Sequence, residues 1–210
     1  MITLYHHPFS RAATVVWMLE EAGLEEGTGY ELAFVDLKKL DQRTDAYRTL
    51  NPMCKLPTLV DGDALVTETA AVGLYLADRY SPGDLAPTLD DPARAAYLRW
   101  ILFGPSVIEP AAATQASGWE VNPASVGWGS WESMLASTRA AIGAGPWLLG
   151  ERFTMADVCF GATVRFMVQF KMLPQEPLFL DYIERLNARP AAQRAAAINQ
   201  RVITENGLGG

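Results

Sequence analysis

Leu56-Pro57 and Glu68-Thr69 are the residues whose types and spacing first suggest chemistry in this chain. They lie in the run Asn51-Pro52-Met53-Cys54-Lys55-Leu56-Pro57-Thr58-Leu59-Val60-Asp61-Gly62-Asp63 and in Val66-Thr67-Glu68-Thr69, which follows it. Leu56-Pro57 enters an apolar strand, where proline brings no amide donor and is tolerated only at an edge or a strand start. An edge with free backbone groups can pair with an extended ligand. Glu68-Thr69 stands at the entrance to the apolar helical run Ala70 to Tyr80, where free amides and the positive dipole end favour an anion. Together these features fit a small bound peptide that carries a carboxylate. Ordinary helix capping is the alternative reading of Glu68-Thr69.

The elements that must position these residues can be read from periodicity. Asp61-Gly62 supplies the two-residue turn of a tight hairpin, so Pro57 to Val60 and Ala64 to Thr67 are expected to be antiparallel neighbours. Around the hairpin, strand signals at 2–5 and 30–36 alternate with helix signals at 10–22, 44–50 and 69–80. This order predicts an α/β, thioredoxin-like domain over residues 1–80. Breakers and polar residues from Ser81-Pro82-Gly83-Asp84 to Asp90-Asp91-Pro92 mark a linker over 81–91. Beyond it, helical patterns at 92–113, 131–144, 154–172, 177–187 and 190–198 predict an all-α second domain over 92–210. Thr154 three residues before Asp157, with Phe153 ahead and Val158 behind, is a variant of the capping box and staple. That element is assigned stability and no chemistry.

Composition narrows the function classes. The chain has 210 residues, a soluble-globular balance of apolar and charged residues, and a formal net charge of −7. Nucleic-acid phosphates would be repelled, and no basic patch offers itself to an anionic membrane. No long apolar span or signal-like start appears, so a cytoplasmic location is expected. Cys54 and Cys159 are too far apart in sequence for a Cys-x-x-Cys pair or a zinc cluster. His6 and His7 are adjacent on a strand, point to opposite faces and have no acidic or cysteine neighbour, so no metal is expected.

The run from Asn51 to Thr69 resembles the glutathione-binding half of the cytosolic glutathione transferases, whose pattern is Asn-Pro, a variable residue, usually Gly, Lys, an aliphatic residue, Pro, then Glu-Ser at a helix start. Leu4-Tyr5, Pro8-Phe9-Ser10-Arg11 and Val16-Trp17-Met18-Leu19-Glu20-Glu21-Ala22-Gly23 are similar to the first strand and helix of bacterial, serine-type or theta-like members. Phe153-Thr154-Met155-Ala156-Asp157-Val158 and Leu186-Asn187-Ala188-Arg189-Pro190 resemble the helical-domain signatures of that family. The resemblance spans nearly the whole chain.

What it implies is a glutathione transferase that holds glutathione along the first domain, stabilises its thiolate and conjugates it to an apolar electrophile. A free thiol with a pKa of about 8.5 is mostly protonated at neutral pH, so the task is to favour the thiolate. Ser10, just before the first helix, is the candidate catalytic hydroxyl; simple capping of that helix would explain it equally. Thr14 and Tyr5 are the rival hydroxyls, Tyr5 lacking the surroundings of the tyrosine-type branch. Leu56 would offer backbone groups and Pro57 a cis turn, Lys55 would face the glycyl carboxylate, and Glu68 an amino group. Thr69, in place of the usual serine, would hold the neighbouring carboxylate.

His7 and Phe9, with Phe103 and Val107 of the second domain, are the expected electrophile pocket; aromatic residues at such spacing are also ordinary core. A homodimer is implied by the resemblance alone. Cys54 departs from the pattern: beside Lys55 it is either a passive small residue or a reactive thiol, which would turn the chemistry toward thiol transfer. Glutathione-dependent reduction, isomerisation, ether cleavage, or a non-catalytic regulatory module on the same fold remain the other readings.

Overall fold

The computed structural model describes residues 1–209. They divide into two compact units, Met1–Ser81 with Arg189–Gly210 and Pro82–Ala188. The first unit is built on a four-stranded sheet of order β2-β1-β3-β4, with β1 Ile2–His6, β2 Tyr30–Phe34, β3 Thr58–Asp61 and β4 Ala64–Thr67. β1 runs parallel to β2 and antiparallel to β3, with Tyr5 opposite Thr58 as the last pair. β3 and β4 form the expected hairpin, Asp61 opposite Ala64, and Gly62 adopts a φ of 60° that the turn needs.

Helix α1 (Ala12–Glu21) buries Val15, Val16, Trp17, Met18 and Leu19, and α3 (Thr69–Tyr80) buries Val72, Leu76 and Ala77. α1 packs on β1, whose inward residues Ile2 and Leu4 are sealed from solvent, and α3 packs on α1 and β4. The short α2 (Asp45–Leu50) starts at Thr44, whose hydroxyl accepts the Tyr47 amide.

The last helix, α9 (Pro190–Glu205), corrects the expected partition, because it belongs to the first unit and not to the helical one. The reasons are packing and charge. Ala191, Ala192 and Ala195 bury small faces that let α9 approach α1 closely. Glu20 and Glu21 end α1, where the helix dipole disfavours carboxylates. Arg194 answers Glu20 at 2.7 Å, and Arg189 grips Glu21 through two contacts of 2.7 Å.

The second unit is all helical: α4 Arg94–Phe103, α5 Glu109–Ser117, α6 Trp131–Gly143, α7 Met155–Gln169 and α8 Pro177–Asn187. The expected single helix over 92–113 is instead α4 and α5 joined by a π-helical turn at Gly104–Ile108. Pro105 lacks the amide a regular turn requires, and Gly104 leaves room for the Thr163 side chain, which a Cβ would meet at 2.8 Å. The stretch read as a linker is fastened to this unit: Arg152 binds Asp91 at 2.6 Å and the Gly83 carbonyl at 2.8 Å, and Met155 donates to the Leu85 carbonyl at 2.9 Å.

Asp157 organises the helical core. Its carboxylate accepts from the Leu148 amide at 2.9 Å, the Thr154 amide at 2.9 Å, the Thr154 hydroxyl at 3.3 Å and the Tyr182 hydroxyl at 3.0 Å. Burial outweighs these bonds and raises its pKa to about 6. Among the described residues no helix is long and apolar enough to cross a membrane.

Candidate functional site

One end of the first unit's sheet gathers the residues with chemical potential. Beyond the last β1–β3 pair the chain of β3 runs back through cis Leu56-Pro57, while β1 runs on through His7 toward α1. Proline's missing amide falls where the ladder stops, so no strand bond is lost.

The Lys55–Leu56–Pro57 loop is clamped from beneath by two residues that sequence reading left without a role. Tyr47 donates its hydroxyl to the Lys55 carbonyl at 2.7 Å and shares a 2.8 Å bond with the Thr58 hydroxyl. The Asn51 side-chain amide donates to the same carbonyl at 2.9 Å and to the Thr58 hydroxyl at 3.3 Å, while its oxygen accepts the Met53 amide at 3.0 Å. Both side chains are buried, and their polar atoms are spent on the loop. Asn51 was visible as the head of the Asn-Pro motif. Tyr47, one helical turn earlier on the same face, carried a detectable signal in its spacing of four. The clamp leaves the amide and carbonyl of Leu56 without a hydrogen-bond partner among the described residues. Lys55 is exposed and Leu56 half-buried beside them.

Two non-glycine residues in this region hold the left-handed region of backbone space. Cys54 has a φ of 54° and Glu68 a φ of 66°. Such positions cost about 1–3 kcal/mol each and persist only where the surroundings impose them. At Cys54 the conformation explains why glycine suits this position in the resembling pattern. Its thiol is half-buried and reaches only the Pro52 carbonyl, at 3.7 Å; Cys54 and Cys159 are both free. Glu68 is the residue before α3, exposed, and its side chain caps nothing. Capping therefore does not account for Glu68. The first amides of α3, from Thr69 onward, point out of the helix start as every first turn requires.

At the start of α1, Ser10 is bonded within its own turn. Its hydroxyl donates to the His7 carbonyl at 2.8 Å and its oxygen accepts the Ala12 amide at 3.1 Å. Thr14 lies half-buried inside the helix. The Tyr5 ring packs edge-on against Tyr47, centroids 5.6 Å apart. His7 accepts the Phe9 amide on Nδ1 at 3.2 Å and stacks on Phe34 at 5.6 Å, its pKa lowered by burial. His6, in contrast, points toward α9. Among the described residues no three His, Cys, Asp or Glu side chains assemble as a metal would need.

Of the expected electrophile pocket, His7 and Phe9 come together, their rings 5.8 Å apart, and Phe9 is largely exposed. Phe103 in the second unit packs on Trp100 at 5.2 Å and Phe160 at 6.2 Å, the company of a core aromatic. Val107 lies half-buried in the π-helical turn.

The clamped cis-proline loop, the open Leu56 backbone and the helix start at Thr69 all lie within the stretch that one family model matches. Glutathione S-transferase, N-terminal domain, matches residues 1–78. Beyond that match, the chain is similar to glutathione transferases over most of its length. Glutathione S-transferase Z2 of Arabidopsis thaliana is 28% identical over 83% of this chain and 82% of its own length. A glutathione transferase of Methylococcus capsulatus has a TM-score of 0.76 and 28% identity, covering 95% of this chain and 99% of that one. A glutathione transferase homologue from Sulfitobacter, solved with bound glutathione, is 25% identical with a TM-score of 0.71, covering 96% and 98%. The fold of this chain, a thioredoxin-like domain followed by helices, is the one those structures have.

Proposed function

We propose that the protein binds glutathione along the cis-proline loop and α3 start, stabilises its thiolate at the opening turn of α1, and conjugates it to an apolar electrophile. The observation that carries this reading is the Leu56 backbone, held open by Tyr47 and Asn51 where an extended peptide would continue the sheet. Lys55 faces the glycyl carboxylate, and Glu68 with Thr69 receives the amino acid end, the carboxylate over the α3 amides and the amino group at Glu68. The strained Glu68 backbone supports a binding role, since no structural bond of its side chain accounts for it. His7 and Phe9 are candidates within the first unit for meeting the electrophile, and Phe103 and Val107 are candidates within the second. The chain works as a homodimer, as the family resemblance implies.

Calorimetry of reduced glutathione against wild type, Lys55→Ala and Thr69→Val tests the binding set. Affinity is expected to fall about tenfold or more in each variant; no uptake by folded wild type sinks the reading. Absorbance of the bound thiolate then separates an enzyme from a binding module, because a bound thiol that stays protonated at neutral pH cannot attack. Sedimentation equilibrium tests the dimer.

Thiol transfer is the second reading, favoured by the partly accessible Cys54 sulfur beside the loop. There the Cys54 thiolate attacks a glutathione mixed disulfide, one S–S bond forming as the other breaks and the partner thiolate leaving. Loss of disulfide exchange in Cys54→Ala, with conjugation retained, identifies it.

A further inference from the structure

We propose that the Nε2–H of His7, not the Ser10 hydroxyl, is the donor that stabilises the glutathione thiolate. This rests on the glutathione-binding reading above and adds the group that meets the sulfur.

Ser10 has one hydroxyl proton, and it is directed to the His7 carbonyl at 2.8 Å while the oxygen accepts the Ala12 amide at 3.1 Å. To face a sulfur it would have to abandon a bond that shapes the entry to α1. His7 is placed oppositely. Its Nδ1 accepts the Phe9 amide, and a nitrogen that accepts carries no proton, so the neutral ring has its hydrogen on Nε2. No acceptor meets Nε2 among the described residues, and it is not among the polar atoms sealed from solvent.

Position points the same way. Tyr5 opposite Thr58 closes the β1–β3 ladder, and the chain of β1 continues from there through His7 into the turn that opens α1. His7 is tied to that turn by Ser10, whose amide and hydroxyl both donate to the His7 carbonyl. Tyr5, the rival hydroxyl, lies inside the ladder. Stacking on Phe34 at an interplanar angle of 28° and the neighbouring Phe9 ring hold the imidazole in one orientation.

The step is a deprotonation assisted by a donor. The S–H bond breaks, its proton leaves to solvent, the electron pair stays on sulfur, and Nε2–H hydrogen-bonds to it. His7 does not take the proton, because its lone pair is occupied by the Phe9 amide. The charged groups acting on the ring, Asp36 and Lys38, oppose each other, and His6 beside it is neutral; burial keeps His7 neutral at physiological pH.

The test uses the intact protein with reduced glutathione as probe. His7→Leu keeps apolar bulk and removes the donor, whereas His7→Gln keeps an N–H. In His7→Leu, calorimetric affinity should stay within about threefold of wild type. The pH titration of the bound thiolate band should move up by about one unit. His7→Gln should recover part of the shift. An unmoved titration in His7→Leu overturns the proposal, as does a shift seen in Ser10→Ala or Tyr5→Phe but not in His7→Leu. Nitrogen NMR of wild type needs no variant to fold: with glutathione bound, His7 should carry its proton on Nε2, and a proton on Nδ1 alone overturns the assignment. Absent glutathione uptake by wild type, the binding reading itself has failed; intact uptake with an unmoved titration removes His7 alone.

Discussion

His6 Nε2 and Asn199 Oδ1 lie 2.8 Å apart although 193 positions separate them in the chain. The Asn199 amide nitrogen donates to the Ala195 carbonyl at 2.8 Å and the Ala13 carbonyl at 3.4 Å, so its oxygen must face His6 and His6 must donate. The other ring nitrogen, Nδ1, is buried with no partner. Protonating it would place a charge in an apolar core, and burial accordingly lowers the His6 pKa from 6.5 to about 4.

The unfolded chain therefore takes up a proton on His6 before the folded one does, and stability falls as pH drops from 6.5 to about 4, by up to about 3 kcal/mol. Asp157 works against this. Its raised folded pKa makes the folded state bind the proton first, so its contribution grows as pH falls from about 6 to 3.8. Urea unfolding of wild type should change little between pH 6 and pH 4 from this pair. The deficit of His6→Asn relative to wild type should shrink over that window; a constant deficit would show that His6 does not titrate differently on folding.

Tyr47→Phe removes the hydroxyl that holds the Lys55 carbonyl and the Thr58 side chain. Stability should fall by about 1–2 kcal/mol. Glutathione affinity should fall by several-fold, because the loop is no longer held open. Calorimetry showing full affinity would mean that Asn51 alone suffices.

Cys54→Gly relieves a left-handed backbone at a cost in chain entropy. The net expectation is a gain of about 0.5–1 kcal/mol in chemical denaturation. A destabilised variant would mean that the sulfur makes a packing contribution larger than the strain.

Glu68→Gly should separate stability from binding. The φ of 66° becomes costless, so the melting temperature should rise, while glutathione affinity drops with the loss of the carboxylate. Unchanged affinity in a folded variant would remove Glu68 from the binding set.

Asp157→Ala strands the buried Leu148 and Thr154 amides and the Tyr182 hydroxyl. A loss of about 3–5 kcal/mol is expected. Glutathione affinity of the remaining folded protein should match wild type; a matching collapse in affinity would tie this hub to the site.

The sequence alone determined the local framework. Alternating and helical periodicities gave the sheet and helices, Asp61-Gly62 marked the hairpin, and Leu56-Pro57 and Glu68-Thr69 marked the edge and the helix start, because each is written in neighbouring residues. The tertiary structure decided what depends on distant partners. α9 belongs with α1 because Glu20, Glu21 and His6 find Arg194, Arg189 and Asn199 there. The orientation of the His6 ring likewise follows from Asn199, 193 positions away, something no local spacing encodes.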